Sequence, residues 1–263
     1  MAKPRKLTQR RGWAMSICVA ILRPLLMLLT KRRWLDGDKL PATGGCVVVG
    51  NHISYADPLT FAHFIYDHGR LPRFLAKSEV FDIPVVGAIV RSAGQIPVYR
   101  MSTDASRAFR AAVEGVQHGE CVIVYPEGTI TRQPELWPMT GKTGAARIAL
   151  ATQVPVVPIA QWGAHHILAP YAKKARLFPR KTVTMKVGDP VDLDDLRGRP
   201  ITPALLREAT DRIMDALTAQ LEDIRQEKAP EVRFDPRTAG VRETGNPNRA
   251  EDSRKSRRRG VGR

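Results

Sequence analysis

Val47-Val48-Val49-Gly50-Asn51-His52-Ile53-Ser54-Tyr55-Ala56-Asp57-Pro58 joins an apolar run to a histidine and, five positions later, an aspartate. The three valines are β-branched and follow the Gly44-Gly45 break, which predicts a short strand covered on both faces of a sheet. Pro58 suits the first turn of a following helix. A histidine at the carboxyl end of a strand, with an aspartate able to fold back on its imidazole, has the geometry of a general base acting on a hydroxyl. The carboxylate would fix the tautomer and stabilise the imidazolium. Taken alone, the same spacing also fits a structural histidine beside an Asx turn.

Outward from this stretch, strands and helices alternate. Residues 73–76, 95–98, 121–125 and 156–160 read as strands, and 182–187 as a later, edge-like one. Residues 84–92 and 141–152 read as helices, as does the stretch between them in which Ala105, Ala108, Phe109, Ala112, Val113 and Val116 keep one face apolar, Ser102 or Thr103 can cap it, and Gly119 ends it. Thr202-Pro203 opens a long closing helix with Leu206, Ala209, Ile213, Leu217, Leu221 and Ile224 on one face. Such alternation predicts an α/β fold: a mostly parallel sheet flanked by helices, preceded by an N-terminal membrane-interfacial helical segment. The expected organisation is a basic and apolar interfacial segment over 1–33, a catalytic domain over 34–227 entered through a polar connection (34–45), and a disordered basic tail over 228–263.

At 263 residues and 43% apolar content, the chain can bury one substantial core. The formal charge of +16 sits at the ends: residues 1–33 hold nine Lys or Arg and no acid, and 228–263 hold eleven bases and five acids. A nucleic-acid binder more often carries its basic stripe on the folded body, so no nucleic acid is expected. Bases bracketing the apolar run Trp13 to Leu29 favour an anionic membrane surface. That run is too short and, at Arg23-Pro24, too interrupted for a span; an interfacial helix or a broken pair of short helices fits better. The three cysteines, widely spaced in apolar settings, suit reduced buried thiols.

With Asn51-His52 and Asp57, the downstream runs Gly94-Gln95-Ile96-Pro97-Val98-Tyr99-Arg100, Val124-Tyr125-Pro126-Glu127-Gly128-Thr129 and Val154-Pro155-Val156-Val157-Pro158-Ile159 resemble, in order, the four blocks of the 1-acylglycerol-3-phosphate acyltransferase family. The resemblance spans roughly Trp34 to Val187. It implies transfer of an acyl group from a thioester, acyl-CoA or acyl carrier protein, to the hydroxyl of lysophosphatidic acid, giving phosphatidic acid. His52 and Asp57 would be the catalytic pair, with no covalent intermediate, no cofactor and no metal. Lys77, Arg100, Arg132 and the turn Glu127-Gly128-Thr129 would bind the acceptor. With the bases around the apolar N-terminal run, the expected location is monotopic, on membrane phospholipids at the cytoplasmic face of the cell membrane.

One departure stands out. Where the family usually has an arginine directly after Glu-Gly-Thr, this chain has Ile130, and Arg132 is the first base. A different acceptor (another lysophospholipid, a glycolipid or glycerol 3-phosphate) therefore stays open, as does a non-catalytic membrane-binding protein.

Three other features yield little. Gly141-Lys142-Thr143 resembles the end of a P-loop, but Leu136 stands where its first glycine belongs. His165-His166, on a strand, would point to opposite faces and have no Cys or acid at metal spacing. The basic run Lys173, Lys174, Arg176, Arg180 and Lys181, interleaved with Tyr171, Leu177 and Phe178, suits lipid headgroups, CoA phosphates, an acidic carrier protein, a nucleic-acid patch or plain solvent, and the sequence does not choose among them.

Overall fold

The computed structural model describes residues 5–98, 105–243 and 245–247. Its strands are β1 (Thr30–Leu35), β2 (Cys46–Gly50), β3 (Pro72–Lys77), β4 (Ile96–Val98), β5 (Cys121–Val124), β6 (Val156–Trp162) and β7 (Lys181–Val187). Its helices are α1 (Trp13–Leu29), α2 (Asp57–Asp67), α3 (Ser78–Phe81), α4 (Val86–Ser92), α5 (Ala105–Gln117), α6 (Gly144–Thr152), α7 (Ala164–Ile167) and α8 (Pro203–Arg225). The strands form one sheet in the order β1-β7-β6-β2-β5-β3-β4, parallel at every pairing except β6 with β7. The α/β class and the mostly parallel sheet expected from the alternation are what the chain adopts.

The valine run explains why β2 lies at the centre. Side chains alternate across a strand, so Val47 and Val49 meet α5, α6 and α8, including Ala112, Ala149 and Ile213. Cys46 and Val48 face the other way, onto Phe61, Phe64 and Ile65 of α2. All five residues of β2 are buried, as a strand sandwiched between helices must be. Thr202 caps α8 by accepting from the Leu205 N–H at 3.2 Å. All three cysteines are free; Cys46 and Cys121 are buried and Cys18 is half-buried.

Four expectations need correction. Residues 30–35, assigned to the interfacial segment and the polar connection, form the edge strand β1, and β7 is therefore interior. The signal was masked because the inward charge on Arg32 is matched: its Nη1 donates to the buried Asp67 at 3.0 Å, where Trp34 Nε1 also donates at 3.2 Å. Secondly, of the two forms expected for Trp13 to Leu29 the broken pair falls and the single helix holds: α1 runs unbroken through Pro24, and Arg23 donates from Nε to Asp67 at 3.1 Å, so that charge is neutralised against the domain. Thirdly, His165 and His166 sit on the single turn α7, not a strand.

The fourth concerns the segment from 228 on, expected to be disordered, of which Lys228, Ala229 and Arg233 contact α8. Arg233 pairs with Asp215 at 2.5 Å, and the Thr140 N–H donates to the Phe234 carbonyl at 3.0 Å. The proposed caps Ser102 and Thr103, and residues from 248 on, lie outside the described residues. No helix among the described residues is long and apolar enough to cross a membrane.

Candidate active site

Parallel strands deliver their carboxyl ends to one edge, the usual place for a site in an open α/β sheet. β2 brings His52 there, β5 brings the turn after Tyr125, and β3 ends on Lys77. Asn51 fixes the exit of β2 by a reciprocal clamp on β6. Its Nδ2 donates to the Gln161 carbonyl at 3.0 Å, while its Oδ1 accepts from the Gln161 N–H at 2.8 Å.

His52 Nδ1 lies 2.7 Å from Asp57 Oδ2. The same oxygen accepts from the Ile53 and Ser54 N–H groups at 2.6 and 2.7 Å, so Oδ2 takes all three contacts at the first turn of α2. Burial pushes the Asp57 carboxyl above the usual range, opposed by the His52 hydrogen bond and the backbone donors. This contact selects a tautomer in which Nδ1 carries the proton, leaving Nε2 able to accept one. Tyr125 stacks on the imidazole with centroids 4.4 Å apart and 17° between planes. The His52 side chain is 16% exposed, and Asp57 is fully buried.

Glu127, expected to line an acceptor site, borders the cavity beside the Gly128 turn and is also a clasp on the backbone. Its Oε1 accepts from the His52 N–H and its Oε2 from the Met139 N–H, both at 3.0 Å. Burial pushes its carboxyl up to about 8, against the lowering effect of those two N–H groups. The His52 backbone is held a second time by the Thr131 N–H, which donates to its carbonyl at 2.7 Å. Thus the histidine is positioned through its backbone by the 127–131 turn and through its ring by Asp57.

The other expected residues are distributed as follows. Gly128 has φ +67°, the left-handed region that favours glycine, and a Cβ there would lie 3.2 Å from the Lys142 side chain. Thr129 is half-buried on the same turn. The Ile130 side chain is only 2% exposed, so an arginine at that position would have to bury its charge or shift the turn. Arg132 stacks 5.5 Å from the Tyr171 centroid and donates from Nη2 to the Gly245 carbonyl at 2.8 Å. Lys77 is exposed, 3.6 Å from Glu79. Arg100 lies outside the described residues.

Ser54 is committed elsewhere. Its hydroxyl donates to the Leu168 carbonyl at 2.6 Å and accepts from the Ala56 N–H at 3.0 Å. Among the described residues, no cluster of His, Cys, Asp or Glu is placed to hold a metal.

Sequence reasoning missed Gln161, Tyr125 as a ring platform, and Lys142. Lys142 stands over Gly128 and beside a cavity of about 450 Å³ that Glu127, Thr140, Arg207, Asp235 and Arg237 also line. Its signal was a base two residues before Gly144, which opens α6.

Residues 33–162 match the family model described as Acyltransferase. A relative named as the chloroplastic 1-acyl-sn-glycerol-3-phosphate acyltransferase BAT2 of Brassica napus is 36% identical over 133 residues, 50% of this chain and 37% of that protein. A 1-acyl-sn-glycerol-3-phosphate acyltransferase of Borreliella burgdorferi is 30% identical over 135 residues, 48% of this chain and 52% of that one. The chain thus spans about half the length, or less, of these curated relatives. Its fold matches the crystal structure of PlsC, the 1-acyl-sn-glycerophosphate acyltransferase from Thermotoga maritima, with a TM-score of 0.60, 24% identity and coverage of 82% of this chain and 81% of that one.

Proposed function

Residues 33–162 belong to the acyltransferase family, and from that premise we propose that the protein transfers an acyl group from a thioester to the hydroxyl of 1-acylglycerol 3-phosphate, giving phosphatidic acid. The observation that carries this reading is the 2.7 Å contact between His52 Nδ1 and Asp57 Oδ2 at the end of the central strand. With Nδ1 turned to the carboxylate, His52 Nε2 takes the acceptor's hydroxyl proton as its oxygen attacks the thioester carbonyl. The tetrahedral adduct collapses, the C–S bond breaks, and the departing sulfur takes the proton back from Nε2. A thioester is already activated, so no enzyme nucleophile is needed, which agrees with the engaged hydroxyl of Ser54.

Donor and acceptor have separate supports in this reading. The acceptor's phosphate would meet Lys77, Arg132 and Lys142 around the Gly128 turn, where a missing Cβ lets backbone approach; Arg100 would join them. The acyl chain would lie in the apolar groove between α1 and α2, lined by Cys18, Leu22, Leu26, Leu59 and Ala62. Both acyl-CoA and an acyl carrier protein suit this chemistry as donor, and neither metal nor cofactor has a step to perform.

Membrane attachment follows from α1. At about 1.5 Å per residue its 17 residues reach about 25 Å, short of the roughly 30 Å hydrocarbon core. Trp13, Ile17, Ile21, Leu25 and Leu28 nevertheless expose one apolar face. A helix of this kind lies in the interface, on the cytoplasmic face in this proposal. The test is incubation of purified protein with acyl-CoA or acyl carrier protein thioesters and a panel of lyso-acceptors. Phosphatidic acid is expected; a product from another acceptor would change the substrate, and no transfer to any acceptor would refute the reading.

A further inference from the structure

The segment between α7 and β7 takes no part in the chemistry above, yet its build is unusual. Lys173 to Arg180 are eight consecutive exposed residues. Lys173, Lys174, Arg176 and Arg180 supply four bases without an acid. Leu177 and Phe178 stand among them at 40% and 72% exposure, an apolar tip of the sort that marks an interaction surface.

The loop is fixed at both sides. Arg180 Nη2 donates to the Met27 and Thr30 carbonyls at 2.8 and 2.7 Å, tying it to the last turn of α1. Tyr171 donates from its hydroxyl to the Ile130 carbonyl at 2.7 Å, tying the other side to the turn beside His52. Arg180, two residues after Phe178, thus brings this end of the loop to the carboxyl end of α1, where Leu28 is 63% exposed.

We propose that this loop is a second membrane contact, with Leu177 and Phe178 entering the acyl region of an anionic bilayer and Lys173, Lys174 and Arg176 meeting its phosphates. The inference rests on reading α1 as interfacial. An acidic carrier protein would satisfy the bases, but the connection to the apolar face of α1 favours lipid: one plane can take Leu28 and Phe178 together. Because Tyr171 also holds the Ile130 turn, insertion would set the acceptor site at the depth where a lysolipid presents its headgroup.

The test uses the full chain in sedimentation with phosphatidylcholine vesicles, with and without phosphatidylglycerol. Leu177→Ser with Phe178→Ser should weaken binding to the anionic vesicles at least about tenfold. Removing Lys173, Lys174 and Arg176 as glutamines should weaken it about fivefold for each base, and only where phosphatidylglycerol is present. Transfer to a detergent-dispersed acceptor should stay at the wild-type rate in both variants. Unchanged vesicle binding would overturn the proposal, and a selective loss of transfer from acyl carrier protein would assign the loop to the carrier instead. Ile17→Ser with Ile21→Ser tests the underlying reading separately: if that pair binds like wild type while the loop variants do not, α1 loses its role and the loop keeps its own.

Discussion

His52 is held by its ring through Asp57, by its N–H through Glu127 and by its carbonyl through Thr131. His52→Ala is expected to abolish transfer without unfolding the domain, since the side chain carries none of the backbone bonds. Asp57→Asn should lower kcat by roughly 10²- to 10⁴-fold, the range for losing a base's orienting carboxylate. A steady-state assay checks both, with a thermal melt to exclude unfolding. Glu127 makes a prediction about pH. Its folded-state pKa of about 8 lies above its ordinary 4.5, so the native state holds the proton more tightly. Its contribution to stability is present in full below about 4.5 and is lost as pH rises through about 8. Urea melts between pH 5 and 8 should show wild type losing stability relative to Glu127→Gln; parallel curves would contradict the raised pKa. His63, lowered to about 4 by burial, acts in the opposite sense but equally in both proteins. The His-x4-Asp spacing was legible because both partners are local. The clasp by Glu127 was not, since its partners are backbone N–H groups 75 and 12 positions away.

Elements were legible wherever the apolar pattern was regular. The valine run, the amphipathic α5 and the capped α8 all stand close to where the periodicity puts them. β1 was missed because its inward arginine is paired to a buried aspartate, so its pattern reads as polar. The segment after α8 was missed because most of what holds it is polar, including the Arg233–Asp215 pair, the Ala229 N–H on Glu222 and the Phe234 carbonyl, with no regular apolar pattern to mark it. Arg225, at the end of α8, ties that helix to β6 and to the loop that precedes α6. Its guanidinium lies 3.9 Å from the Trp137 centroid and 4.5 Å from that of Trp162, and Nη1 donates to the Glu135 carbonyl at 2.7 Å. Trp137 in turn accepts from the Thr131 hydroxyl at 2.8 Å, one residue from Arg132. Arg225→Ala should cost about 1–3 kcal/mol of stability and raise hydrogen exchange across residues 128–139 while β2 and β5 stay protected. Arg225→Lys keeps the charge but not the planar fork, and should recover little. Uniform exchange in both variants would make this arginine a surface residue only.

Among the described residues, apolar exposure extends beyond α1 to its neighbour α4. The exposed face of α1 is accompanied by Ile83, Val85 and Val86, all exposed, around the start of α4, which packs on α1. Deleting residues 1–33 would also remove most of β1 from the sheet, so attachment is better tested by Ile17→Asp with Ile21→Asp on the intact chain. That pair should release most of the protein from anionic vesicles at an unchanged melting temperature, whereas release accompanied by a lowered melt would mean the face is structural. Charge at the two ends of the sequence pointed to a membrane, but which bases face it was not legible, because Arg23 and Arg32 turn inward to Asp67. The account as a whole depends on His52 acting as the base of an acyl transfer on a lysolipid. The most direct measurement compares wild type with His52→Ala on lysophosphatidic acid and an acyl thioester, following phosphatidic acid formed over time. Product from wild type and none above background from His52→Ala is the predicted result; equal turnover by the two proteins would contradict it.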